Sequence, residues 1–106
     1  MSEIHLSDSN FQAEALQAQQ PVLVDFFAPW CGPCKMQGPI IEAVAKELEG
    51  QAKVGSVDVD ACPETAGKYE IMSVPTLIIF LGGEIKYRAS GLQSKEALIS
   101  EINKLI

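Results

Sequence analysis

Residues 30 to 35 read WCGPCK, two cysteines three positions apart with a glycine and a proline between them. Two thiols at that spacing serve either dithiol–disulfide exchange or metal binding. Exchange needs sulfurs that join and separate with little backbone movement. Where a strand runs into a helix, side-chain roots three residues apart lie about 5–6 Å from each other, close to what a disulfide requires. Pro33 suits the first turn because amides there have no helical acceptor. Its fixed φ limits how far the reduced thiols drift. Position makes the two sulfurs unequal. Cys31 falls at the helix N-terminus, where unpaired amides and the helix dipole favour a thiolate. Cys34 falls one turn further in, facing the core. Cys31 is therefore expected to attack a target disulfide, and Cys34 to displace the reduced target from the mixed disulfide. A closed structural zinc site takes four ligands. Beyond the pair only Cys62 and His5 offer a thiol or imidazole, with no second close pair, so the redox reading is preferred.

The elements around the pair alternate between strand and helix. IHL at 4–6 reads as a short strand, followed by a helix capped by Ser7 or Asp8 and running to about Ala18, with Phe11, Ala15 and Leu16 inward. PVLVDFFA at 21–28 is nearly all apolar, as expected of a central strand covered on both faces. From Cys34 to Glu49, the positions Met36, Ile40, Ile41, Val44, Ala45 and Leu48 trace one helical face. Pro39 should kink that helix and Gly50 should end it. AKVGSVDV at 52–59 is the next strand, and a short helix lies between Cys62 and Tyr69. TLIIFL and EIKYRAS are strands joined at Gly82-Gly83, a hairpin signal. A last helix starts near Ser94 with Leu98, Ile99, Ile102 and Leu105 or Ile106 inward. The expected class is α/β, a mixed sheet with helices on both sides; spacing alone favours a parallel strand after VPT.

Composition narrows the function. A chain of 106 residues suffices for one domain, expected over 1–106, with a core large enough to need no disulfide staples. Net charge is −6 with the basic residues scattered singly, which argues against nucleic acid and anionic membrane as partners. TLIIFL is too short to cross a bilayer. The N-terminal MSEIHLSDSN has no basic patch followed by an apolar stretch, so no secretory signal is read. Three cysteines are too few for a secreted disulfide framework. A cytoplasmic protein is expected.

VDFFAPWCGPCK at 24–35, VPT at 74–76 and GLQSKEAL at 91–98 closely resemble the thioredoxin family, in order and over essentially the whole chain. The resemblance implies a three-layer sandwich, a mixed five-stranded sheet flanked by four helices, with the strand after VPT antiparallel. It implies a general protein-disulfide reductase with no bound cofactor, expected to act as a monomer on disulfide-containing proteins. A thioredoxin reductase, most often in this family an NADPH-dependent flavoprotein, would re-reduce it. A carboxylate within VLVDFF is a misfit unless it lies at an exposed edge or has a chemical role. The resemblance implies such a role, in which Asp25 is buried beneath the disulfide and exchanges protons with Cys34. It also implies a cis bond before Pro75, beside Cys31, with the Val74 backbone pairing with an extended target segment. Trp30, Gly32, Pro33, Val74, Pro75 and Gly91 would then form a flat apolar docking surface.

Two positions depart from the family pattern. Ser56 stands where thioredoxins commonly carry a lysine near the buried aspartate, and Phe27 where many have a second tryptophan. Cys62 is expected to fill a small site at a helix start, with a regulatory thiol as the sharper alternative. Lys35 and Lys68 read as solvated surface, and His5 has no catalytic duty on this reading. A non-catalytic binding module of the same fold is the alternative function.

Overall fold

The computed structural model describes residues 3–106. Met1 and Ser2, which the expected domain includes, lie outside the described residues. Strands β1 (Glu3–Leu6), β2 (Val22–Phe27), β3 (Lys53–Asp58), β4 (Thr76–Leu81) and β5 (Glu84–Ser90) form one sheet in the order β1-β3-β2-β4-β5. The helices among the described residues are α1 (Gly32–Glu47), α2 (Pro63–Lys68), α3 (Lys95–Asn103) and a π-helical turn, Gln12–Leu16. β1, β3 and β2 are parallel, whereas β4 is antiparallel to β2 and β5 to β4. The direction of β4 corrects the reading from spacing and agrees with the family resemblance. The segment between β3 and β4 leaves and returns at one end of the sheet: it brings the Val74 carbonyl oxygen to 3.7 Å from Cys31 Sγ, directly after β2.

Strand alternation divides the core between two faces. On one face Leu23, Val54, Leu77 and Ile79 pack against Ile41, Val44 and Leu48 of α1 and against Leu98 and Ile102 of α3. On the other, Val24, Phe26, Ile78 and Phe80 meet Leu6, Phe11, Ala15 and Cys62. Phe11, Tyr69 and Phe80 stack there with ring centroids 5.3–5.7 Å apart, the edge-on and tilted geometry that ring quadrupoles favour. β2 is interior to the sheet, which explains why it is apolar at every position but Asp25.

The first helix is shorter than expected and of another kind. Its π-type turn closes with the Gln17 amide donating to Gln12 O at 3.0 Å, and Ser7 caps the turn before it, Ser7 Oγ accepting the Asn10 amide at 3.3 Å and Ser7 O the Phe11 amide at 2.9 Å. Asp8 serves a different helix. Its carboxylate accepts from the Thr65 amide at 2.9 Å and the Thr65 hydroxyl at 2.6 Å, at the start of α2. The Thr65 hydroxyl bond is the main reason its carboxyl titrates below the usual range. Helix α1 begins directly after Cys31, where the motif places its N-terminus, ends at Glu47 rather than Glu49, and runs through Pro39 as one element. Met36, expected inward, is 63% exposed, and the inward place belongs to Gln37. At the C-terminus Leu105 packs against the core, whereas Ile106 is exposed.

One glycine sets how closely β1 approaches β3. A Cβ at Gly55 would lie 2.7 Å from Leu6 Cδ1 and 3.1 Å from the Ile4 carbonyl oxygen. Gly55→Ala is therefore expected to cost about 1–3 kcal/mol through overpacking, read as a lower urea midpoint with an unchanged slope.

Candidate active site

Cys31 and Cys34 are joined as a disulfide with Cα atoms 5.3 Å apart, the separation that their spacing predicts. Cys31 is the N-cap of α1, in extended conformation, and its sulfur accepts the Cys34 amide at 3.2 Å. Gly32 and Pro33 form the first turn. The helix thus starts inside the motif, and one of its otherwise unpaired amides points at Cys31 Sγ. Exposure does not separate the two cysteines, at 4% for Cys31 and 6% for Cys34. Their surroundings do. Cys31 Sγ receives an amide and faces the Val74 carbonyl, whereas Cys34 lines a cleft shared with Asp25.

Around the pair, the Val74–Pro75 bond is cis. The Thr76 hydroxyl donates to Ser73 O at 2.7 Å and the Gly91 amide to Pro75 O at 2.8 Å. Gly91 has φ 88°, a conformation glycine adopts at no steric cost, so it fits beside Pro75 where a side chain would be strained. Trp30 is 71% exposed. Gly32 and Pro33 are exposed, Val74 and Gly91 half-buried, and Pro75 buried. Pro75, expected on the docking surface, is thus buried, whereas Trp30, Gly32 and Pro33 are open to solvent.

Three contributors were invisible in the motifs. Asp60 accepts the Trp30 indole N–H at 2.9 Å and fixes the ring from the loop after β3. Gln37 is fully buried in α1. Its amide donates to Gln93 O at 3.0 Å and accepts from the Gln93 amide at 2.8 Å, tying the segment after Gly91 to the cysteine helix. The signal that could have found it is helical period, since 37, 41, 44 and 48 share a face; its polarity hid it. Glu3 is the third, and it acts on Asp25.

Asp25 is 3% exposed and lies on the α1 side of β2, in register with Ser56 of β3. Its Oδ1 is the buried side-chain oxygen left without a hydrogen-bond partner among the described residues. Burial, and secondarily the Glu3 carboxylate, push its pKa up to about 7. The register puts Ser56 beside it, where the family commonly has lysine. Ser56→Lys would set an ammonium against the carboxylate and is expected to lower the Asp25 pKa; carboxyl NMR titration showing no downward movement would contradict this. Cys62 is the buried N-cap residue of α2, with Sγ 3.7 Å from Leu6 O. Burial pushes its thiol pKa up, as expected of a packing cysteine rather than a reactive one.

A mixed five-stranded sheet with helices on both faces, and a cysteine pair where β2 gives way to α1, together define the thioredoxin fold. Comparison with known proteins agrees. The Thioredoxin family model matches residues 2–104. A thioredoxin of Rickettsia conorii is 48% identical over 102 residues, covering 96% of this chain and 97% of the relative. A Mycobacterium tuberculosis thioredoxin is 42% identical, covering 97% of this chain and 89% of its own. A bifunctional thioredoxin reductase/thioredoxin of Mycobacterium leprae is also 42% identical; the match takes in 97% of this chain and 22% of that protein. The chain belongs to the thioredoxin family, and Cys31–Cys34 is the redox pair of a protein-disulfide oxidoreductase.

Proposed function

We propose that this thioredoxin is a general cytoplasmic reductant of protein disulfides, with Cys31 as nucleophile, Cys34 as resolving thiol and Asp25 as the acid–base group for Cys34. The observation that carries the reading is the Cys34 amide donating to Cys31 Sγ at 3.2 Å at the start of α1. The same amide and the helix dipole stabilise a Cys31 thiolate once the pair is reduced.

The thiolate attacks one sulfur of the target disulfide. One target sulfur leaves as a thiolate and takes a proton from water, and the other stays bonded to Cys31. Asp25 then removes the Cys34 proton, and the Cys34 sulfur attacks Cys31 Sγ. The bond to the target breaks, the second target thiolate leaves, and two electrons have passed to the target. Main-chain groups of Val74 hold an extended target segment beside Cys31, while Trp30, Gly32, Pro33 and Gly91 give it an apolar seat over the buried Pro75. Backbone pairing is indifferent to most side chains, which suits a reductant of many proteins.

A thioredoxin reductase, an NADPH-dependent flavoprotein, returns the electrons, and the protein acts as a monomer. The fused Mycobacterium leprae relative, which carries both names on one chain, supports that pairing. Among the described residues no helix is long and apolar enough to cross a membrane. The test is catalysis of a model protein disulfide's reduction, first with dithiothreitol and then with NADPH and a thioredoxin reductase. Acceleration in both supports the reading. No acceleration in either would leave only a binding module.

A further inference from the structure

Asp25 is buried, yet it is not sealed in. A cleft of about 300 Å³ runs from it past Ser56 to β1 at the sheet edge. His5, Ser56 and Asp25 form one row across β1, β3 and β2, each in register with the next. Glu3 is two residues from His5 on β1, half-buried, and lines the same cleft as Ser56 and Asp25. From above, α1 contributes Cys34, Lys35 and Glu42 to the same cleft. These are the titratable and charged groups that line it. A proton that Asp25 takes from Cys34 can exchange with water only through this opening, and Asp25 Oδ1 has no hydrogen-bond partner among the described residues to receive it.

We propose that Glu3 is a positioning residue for this proton step, its carboxylate standing across Ser56 from Asp25 at the open end of the cleft, where the proton that Asp25 takes from Cys34 passes to water. The inference rests on the Asp25 role proposed above. In each cycle the Cys34 S–H bond breaks, the Cys34 sulfur closes the disulfide with Cys31, and the proton moves from Asp25 through the cleft past Ser56 and Glu3. The negative charge of Glu3 makes Asp25 a stronger base towards a thiol. Glu3 itself holds its proton more readily than an ordinary glutamate. Burial is the main cause and Glu42 assists, while the Ser56 hydroxyl opposes.

The test follows release of the target from its mixed disulfide with Cys31 in single turnover across pH, alongside NMR titration of Asp25. β1 and β2 are separated by two interstrand spacings, so the carboxylates stand about 10 Å apart. At an effective dielectric of 20–40 their coupling amounts to roughly 0.6–1.2 pH units. Glu3→Gln is expected to move both the Asp25 titration and the acid limb of the release rate down by that amount. Glu3→Asp, which keeps the charge, is expected to leave both near the parent's. A merely structural role for Glu3 would change neither pH profile. If Glu3→Gln leaves the limb in place while Asp25→Asn abolishes it, the Glu3 inference is wrong and the Asp25 role stands. If the limb survives Asp25→Asn, the Asp25 role itself is wrong. Circular dichroism checks that each variant is folded.

Discussion

Cys34→Ser is expected to give a protein that attacks disulfides and does not let go. The first step needs only Cys31, and nothing that holds its thiolate depends on the Cys34 side chain: the donor to Cys31 Sγ is the backbone amide of residue 34, which serine keeps. The second step needs a sulfur at residue 34, and serine's hydroxyl does not displace a thiol at neutral pH. Release then falls to whatever external thiol is present. Even an effective concentration of about 1 M, modest for a thiol held one turn away on the same helix, exceeds an external thiol at about 1 mM roughly a thousandfold. Target release should slow on that order, and the mixed disulfide should accumulate as a species of summed mass under non-reducing conditions. Cys31→Ser should form no such species with the same target. Trapping by Cys31→Ser but not by Cys34→Ser would reverse the two roles.

The second large effect concerns stability. Asp25 binds its proton more tightly folded than unfolded, since burial raises its pKa to about 7. The sign follows from linkage. Below the ordinary aspartate range both states are protonated and burial of the charge costs nothing. As pH rises towards 7 the unfolded chain ionises freely while the folded one resists, so stability falls, and above 7 the loss is complete. The gap corresponds to on the order of 4 kcal/mol. Asp25→Asn removes this pH-dependent loss. The amide carries its own fixed cost, because a buried polar group without partners is unfavourable at any pH. The prediction is therefore a difference of differences: relative to the parent, the variant should gain on the order of 4 kcal/mol between about pH 4 and about pH 8. Urea unfolding of both oxidised proteins at the two pH values measures it. Equal changes in the two proteins would mean that Asp25 is ionised and well solvated in the folded state. The variant should also resolve mixed disulfides more slowly, so that one residue gives up stability for turnover.

Much of this was legible in the sequence because the signals are local. The cysteine spacing, with Gly32 and Pro33 inside it, fixes a helix start on residues 31 to 34 alone. The Gly82-Gly83 hairpin and the apolar run of β2 are equally short-range. Ser94 capping α3, with its hydroxyl accepting the Ala97 amide at 3.1 Å, is another such signal. The misses have a common physical source, a polar side chain whose partner is distant in sequence. Asp8 looked like the cap of its own helix and caps Thr65 instead, 57 residues away. Gln37 was passed over for Met36 because an amide is a costly core residue until Gln93 satisfies it, 56 residues away. Asp60 and Glu3 matter through Trp30 and Asp25, which only the folded chain brings near. The direction of β4 depended on where the loop carrying Pro75 returns, which no spacing rule contains. For Asp25 the pattern showed the anomaly, and the register with Ser56 supplied its surroundings.

The inequality of the two sulfurs is tested most directly by competition. The reduced protein is treated with less than one equivalent of iodoacetamide near neutral pH, digested, and the labelled cysteine identified by mass. Carbamidomethyl is expected on Cys31 well before Cys34, with Cys62 unlabelled until the chain unfolds. Label appearing first on Cys34, or equally on both, would contradict a thiolate held at the head of α1.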